Sequence, residues 1–412
     1  MATLVVNVGL SAVGAYLSAK MIQTYIPIFI ERRMCGRDQC KANSGPIPEP
    51  VGVVTAGVYL VVMFLFIPFA FMQFLPWDEE HIRDGVSTEF PFQKFVAFLS
   101  GLLSICCSIL LGFADDVLDL RWRHKLLFPS LSSLPLLMVY WANRLSTTVA
   151  VPKPLTGLLG TSVDIGPLYY VYMGLMVVFC FNAINILAGI NGLEAGQSAV
   201  IAASVILFNL IQLWRLESQD WYHYLSLYFL APYLCTTLVL LYYNWCPAQV
   251  FVGDTFCYYS GMVLAVVGVL GHFSKTLMLF FVPQLANFLY SVPQLFKLLP
   301  CPRHRLPRYD AKSDTVSMSF AEFQSSKVGS LGRLAIALLS PLGLLHCERF
   351  QKDNEEWTRM NNMTLINLAL KLFGPMRESR LTLLLLGVQL FCSVLAFLVR
   401  FLLAGLVYEV VH

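Results

Sequence analysis

Charge is scarce in this sequence: Asp, Glu, Lys and Arg make up 13% of its 412 residues, where soluble domains carry roughly 25%. Hydrophobic residues make up 57%, which excludes an ordinary soluble domain and describes a polytopic membrane protein. No basic low-complexity tail is present, and a net charge of +3 is too small to imply a nucleic-acid partner. Zinc is unsupported because no Cys-x-x-Cys pair occurs. Most of the eleven cysteines, such as Cys106, Cys107, Cys180, Cys235 and Cys392, lie inside apolar runs and read as small core residues. There is no repeat of fixed period and no Walker or dinucleotide glycine motif.

Long apolar runs are what the sequence has. Met1 to Ile30 lacks a basic leader and a cleavage site, and Arg32 and Arg33 follow it, so it reads as an uncleaved span with its N-terminus away from the cytoplasm. Lys20 inside it is expected to snorkel. Further spans are expected at Val51 to Leu75, Phe95 to Ala114, Leu126 to Trp141, Leu168 to Ile186, Ala195 to Leu213, Tyr224 to Tyr243, Phe256 to His272, Thr276 to Leu298 and Leu381 to Val399. The expectation is an all-α polytopic membrane protein of about ten transmembrane helices, of which the uncharged run Phe95 to Ala114 is long enough for a bilayer core of ~30 Å. An even count puts both termini on one side. Arg32, Arg33, Arg37 and Lys41, then Arg121, Arg123 and Lys125, then most positives between Lys297 and Arg380 fall on odd-numbered connections. By the positive-inside rule those connections are cytoplasmic, which leaves both termini lumenal.

The organisation expected is 1–299 for the first nine spans, 300–380 for a small cytoplasmic insert of mixed strands and helices, and 381–412 for the last span. Within the insert, Ser330 to Leu345 reads as an amphipathic or interfacial helix. Asn362-Met363-Thr364 is a glycosylation sequon that this topology keeps from the lumenal enzyme.

Four polar stretches interrupt the apolar pattern. The first is LLGFADDVLDLRWRHK, Leu110 to Lys125, where an uncharged run ends on Asp115 and Asp116. Ionised carboxylates at a membrane exit need water, a cation or a metal. The second is NAINILAGINGLEAGQS, Asn182 to Ser198. On a helix, Asn182, Asn185 and Gly189 share one face, and Gly189-Ile190-Asn191-Gly192 opens a loop whose backbone N–H groups suit an anion. The third, Phe251-Val252-Gly253-Asp254, offers an oxygen ligand beside a glycine and a ring that can stack on a base. The fourth is Pro300-Cys301-Pro302-Arg303-His304-Arg305, a stiffened cationic loop suited to phosphate. All four, with the loop Arg37 to Glu49, fall on odd connections and so at one membrane face. Carboxylates and amides for a hard cation thus join arginines for phosphate. Mg²⁺ holding a diphosphate is the expected ion, since it takes part of its shell from substrate phosphates.

At these residues the sequence resembles the polyprenyl-phosphate N-acetylhexosamine-1-phosphate transferase superfamily, and it is most similar to the eukaryotic, tunicamycin-sensitive members. The resemblance implies an endoplasmic-reticulum enzyme that passes GlcNAc 1-phosphate from UDP-GlcNAc to dolichyl phosphate and releases UMP, beginning lipid-linked oligosaccharide synthesis for N-glycosylation. By the same resemblance, Asn185 and Asp254 are the Mg²⁺ ligands. Lys125 and the segment Val178, Phe179, Cys180, Phe181, Asn182, Ala183, Ile184 and Ile186 meet dolichyl phosphate. Arg37, Asp38, Gln39, Glu49, Gly189, Asn191, Arg303, His304 and Arg305 hold UDP-GlcNAc, with Phe251 on uracil. Asp115, Asp116 and Lys125 are the catalytic candidates, the aspartate pair having its role left open. Asp119 stands where vertebrate members carry asparagine, and the Arg37 to Glu49 loop departs in composition. The expected assembly is a homodimer. The rival readings are an ion-coupled transporter, which predicts ionisable groups near mid-span, and a non-catalytic scaffold.

Overall fold

The computed structural model describes residues 2–41, 45–74, 90–118, 120, 122–216, 221–302, 304–352 and 355–408; the side chains of 73, 122–124, 126 and 216 are outside that description. The long helices are α1 (Ala2–Glu31), α2 (Gly52–Phe71), α3 (Phe92–Leu118), α4 (Trp122–Ala142), α5 (Pro167–Ile186), α6 (Leu193–Leu216), α7 (Trp221–Asn244) and α8 (Gly253–Leu270). They are followed by α9 (Ser274–Phe280), α10 (Val282–Leu295), α11 (Ser330–Leu339), α12 (Leu365–Phe373) and α13 (Glu378–Leu398). Among the described residues, each segment expected to span is mostly helical. Eight helices among the described residues are long and apolar enough to cross a bilayer, and α9 with α10 forms a pair bent by 72°, the shape of a broken span or a re-entrant loop. The fourth segment is shorter, its apolar part running from Leu127 to Ala142.

α8 sits at the centre. Its sequence is apolar on all sides, the pattern of a helix surrounded by others, and 89% of its spanning window is buried. It packs on α3 and α5 at small residues, which let helix backbones approach closely. A Cβ on Gly112 of α3 would lie 2.6 Å from the Thr255 Cα, and one on Gly261 of α8 would strike the Cys180 carbonyl of α5. α13 lies at the other extreme, with 11% of its window buried.

Short hairpins pair β1 (Cys35–Gly36) with β2 (Ile47–Pro48) and β3 (Thr148–Ala150) with β4 (Ser162–Asp164). Between α10 and α13 lie five strands: the hairpin of β5 (Arg308–Asp310) with β6 (Thr315–Ser317), and an antiparallel sheet of order β7-β9-β8. In that sheet β7 (Phe320–Gln324) and β8 (Cys347–Lys352) flank β9 (Glu355–Asn361), with Phe320 opposite Asn361 and Cys347 opposite Met360. Leu299, Ala321, Phe323, Val328, Leu345, Met360 and Met363 make its core, and α11 covers them with Ala335, Ile336 and Leu339. The sequon residue Asn362 is buried, its amide donating to the Ser319 hydroxyl at 2.8 Å, so it is closed to a glycan.

Candidate active site

The site begins at the first turn of α8, whose leading backbone N–H groups have no partner inside the helix. Asp116, in the last turn of α3, supplies the acceptor. Its carboxylate receives the Asp254 N–H at 2.7 Å, the Thr255 N–H at 2.9 Å and the Thr255 hydroxyl at 2.5 Å. A negative charge here also complements the helix dipole. Gly253 allows the approach: it adopts φ +74°, and a Cβ would meet Pro50 and come within 2.9 Å of Asp116 Oδ2. Asp116 therefore holds the turn that presents Asp254.

Asp115 faces another way. Buried at 3% exposure, it accepts from the Leu120 N–H at 3.0 Å and the Tyr258 hydroxyl at 2.5 Å, and it pairs with Lys125 Nζ at 2.8 Å. The same ammonium reaches Asp254 Oδ2 at 3.0 Å, and Asn185 Nδ2 donates to Asp254 Oδ1 at 2.7 Å. Asp115, Asp254, Asn185 and Lys125 thus meet from four segments of the chain. The oxygens of two carboxylates and an amide are a hard donor set that fits Mg²⁺, which binds through one or two carboxylates and completes its shell with phosphate and water.

Beside this cluster opens a cavity of about 390 Å³, within the range of small-ligand pockets. Arg37, Asp38, Gln39, Glu49, Asn185, Gly189, Asn191, Phe251, Asp254 and His304, all singled out from sequence, line it. Backbone pairing zips two of its walls together: the Phe251 N–H donates to the Pro48 carbonyl at 2.8 Å, and the Val51 N–H to the Phe251 carbonyl at 3.1 Å. That places Glu49 near Asp254, and burial followed by the Asp254 charge raises the Glu49 carboxyl above its ordinary range. The ring of Phe251 lies against Gly36, where a Cβ would be 3.2 Å from it. Gly189, at φ +119°, donates its N–H to Glu194 at 2.9 Å, and a side chain there would strike Leu306.

The opposite wall turns on Glu378, which sequence reasoning missed. It lies at the start of α13, buried, and accepts the Asn191 N–H at 2.9 Å while pairing with Lys41 at 2.9 Å. Burial opposes the charge on Lys41, but the bond to Glu378 outweighs it and raises its pKa above the usual lysine range. Asn191 also donates to Asp38 Oδ2 at 2.7 Å. Asp38, Cys40 and Glu378 are close enough together to resemble a metal site. Its third donor is the Cys40 thiol, a softer ligand than oxygen, so the all-oxygen Asp254 cluster is the better chemical match for a hard cation. Asn244, which accepts the Gly192 N–H at 3.0 Å, was likewise missed.

The structure narrows two expectations. Cys180, Phe181, Ala183 and Ile184 are buried within the bundle, so in that segment Val178, Phe179, Asn182 and Ile186 keep surface for a lipid. Phase along a helix apolar on all sides cannot be read from pattern. Arg305 does not line the cavity; it donates to the Met363 carbonyl at 3.4 Å and receives the Asn367 amide on its own carbonyl at 3.0 Å. It secures the loop that presents His304. Arg303, Asp119 and Arg121 lie outside the described residues, as does the side chain of Arg123.

Residues 98–272, the stretch from α3 to the end of α8, match the family model described as glycosyl transferase family 4. Over nearly the whole chain the sequence is 42% identical to the UDP-N-acetylglucosamine–dolichyl-phosphate N-acetylglucosaminephosphotransferase of Schizosaccharomyces pombe, covering 98% of this chain and 93% of that one. The chain belongs to that phosphotransferase family. The Saccharomyces cerevisiae protein of the same name is also 42% identical, over 98% and 93% of the two chains, and that of Dictyostelium discoideum is 39% identical over 97% and 89%. Membership in the N-acetylglucosaminephosphotransferase family agrees with the enzyme reading of the four polar stretches and gives the transporter reading no support.

Proposed function

We propose that the protein transfers GlcNAc 1-phosphate from UDP-GlcNAc to dolichyl phosphate, giving GlcNAc-diphosphodolichol and UMP, in a Mg²⁺-dependent reaction at the cavity beside Asp254. The observation that carries the metal requirement is charge. Asp38, Glu49, Glu194, Asp254 and Glu378 put five carboxyl groups around the cavity against three described cations, the Arg37 guanidinium and the ammoniums of Lys41 on Glu378 and Lys125 on Asp254. A diphosphate brought into such a lining meets repulsion unless a divalent cation accompanies it. Asp254, with Asn185 and Asp115, would hold Mg²⁺, which when bound neutralises phosphate charge and polarises the phosphate oxygens.

The chain's own residues then orient the reactants. Phe251 stacks on the uracil ring, while Asn191, held by Asp38 and Glu378, and the Gly189 loop border the sugar diphosphate. Lys125, in contact with Asp254 and Asp115, draws the lipid phosphate to the floor of the cavity. Val178, Phe179, Asn182 and Ile186 border its approach along α5. An oxygen of that phosphate attacks the sugar-bearing phosphorus; the bond to the bridging oxygen breaks, and UMP leaves with the electron pair. Such displacement needs positioning and charge neutralisation more than covalent help from the protein. Asp116 acts through Asp254, and His304 borders the cavity as a further polar group.

The proposed setting is the endoplasmic-reticulum membrane, with the cavity facing the cytosol and both termini in the lumen, an arrangement in which the bent α9–α10 pair and the shorter α4 each cross once, and which the basic residues on the odd connections support. The proposed assembly is a homodimer, which a mass measurement in nanodiscs checks. Activity is tested by UMP release from UDP-GlcNAc, dolichyl phosphate and Mg²⁺ with purified protein. Asp254→Ala should abolish most of it while thermal unfolding stays cooperative; wild-type turnover in that variant would remove Asp254 from the metal site.

A further inference from the structure

α11 is amphipathic in an unusual way, with three faces. At about 100° per residue, Gly332, Ala335, Ile336 and Leu339 point to the sheet core, and Gly332 sits so close to the end of α10 that a Cβ would strike the Leu298 carbonyl. Leu331, Leu334 and Leu338 share one flank and are 60%, 54% and 58% exposed. Arg333 and Ser340 share the other. A helix with core on one side, bare leucines on the second and polar groups on the third suits a boundary between apolar and aqueous phases.

Where α11 sits supplies the occupant. Beyond the Gly332 contact, the Tyr290 hydroxyl of α10 donates to the Leu344 carbonyl at 2.6 Å, so α11 and the turn after it are tied to the second half of α10 and to the residues that directly follow it. Along α10 Val282, Leu289 and the following Phe296 recur at i, i+7 and i+14 and are all exposed, an apolar stripe suited to lipid. From Ser325 to Cys347 the sequence contains Lys327 and Arg333 but no Asp or Glu, so the segment is cationic as well as apolar. Cations beside an in-plane apolar flank favour an anionic bilayer surface.

We propose that α11 is an interfacial helix whose leucine flank inserts into the acyl boundary of the leaflet at the end of α10. By docking there it steadies the segment whose first loop carries His304 to the cavity. The test places a benzophenone amino acid at Leu334, Leu338 or Ser340 of the full chain, in nanodiscs of phosphatidylcholine with a minority of phosphatidylserine. Mass spectrometry reads the adducts after irradiation, and wild-type UMP release certifies each variant; Leu331 replaces a leucine position that loses it, and Arg333 replaces Ser340. Phospholipid adducts should form at 334 and 338 at about tenfold the yield at 340, as expected for a flank lying in the headgroup–acyl boundary. Equal yields at the three positions, or crosslinks to a second copy of the chain in place of lipid, would overturn the proposal.

Discussion

Replacing Asp116 tests whether the two adjacent aspartates do different work. Its carboxylate receives two backbone N–H groups and a hydroxyl at the start of α8. Asp116→Ala leaves those donors without an acceptor, at about 1–3 kcal/mol for each backbone group. Because the site is partly open, water recovers some of that, and about 2–3 kcal/mol is the reasonable total. If all of it reached the transition state through a displaced Asp254, turnover would fall about 30- to 160-fold. Asp116→Asn keeps one acceptor oxygen but turns an NH2 toward the other backbone N–H, so it loses the helix-end charge and leaves one donor unpaired; at about 2 kcal/mol together its loss should be about 30-fold. The decisive variant is the double one. If Asp116 acts through Asp254, Asp116→Ala added to Asp254→Ala should lower the residual UMP release no further, since residues that share one contact are not additive. A double variant falling by the product of the single losses would refute the division of roles.

Glu378→Gln should weaken UDP-GlcNAc more than it slows chemistry: Asn191 keeps an acceptor but Lys41 loses its ion partner, so KM rises about tenfold with kcat within about twofold. A collapse in kcat at unchanged KM would place Glu378 at the reacting atoms instead. Glu49 carries a pH signature. A carboxyl whose folded pKa is raised holds its proton more tightly when folded, so its contribution is fully present below the unfolded value of about 4.3 and is lost as pH rises through the folded value. In Mg²⁺-free protein, Glu49→Gln should therefore match wild type in acid and become the more heat-stable of the two as pH rises. A gap that closes or reverses with rising pH would show that the Glu49 carboxyl is not destabilised by its burial near Asp254.

The membrane architecture was legible because apolar length and basic loops are properties of composition. What composition could not show was the 72° break between α9 and α10 or the short apolar reach of α4, which carries Pro129 and Pro135 inside the helix. At the site, the aspartate pair, the asparagine-rich helix end and the Gly-Asp turn stood out because polar groups at membrane exits are conspicuous. Glu378 did not. It begins the last span as an ordinary acidic residue in a first helical turn, and its burial follows from α13 returning beside the Asn191 loop, a long-range contact with no local signal. Arg305 misled for the complementary reason: adjacency to His304 suggested a shared ligand, yet its side chain turns to the Met363 carbonyl.

The central claim is that an acid-rich cavity accepts a sugar diphosphate only together with a divalent cation. Calorimetric titration of UDP-GlcNAc into the protein in nanodiscs, with Mg²⁺ and then with excess chelator, tests it without reference to turnover. Chelation should weaken binding by about 100-fold, the order of a lost cation–phosphate interaction worth about 3 kcal/mol. An affinity unchanged by chelator would contradict the account, because the five carboxyl groups would then be tolerating the diphosphate alone.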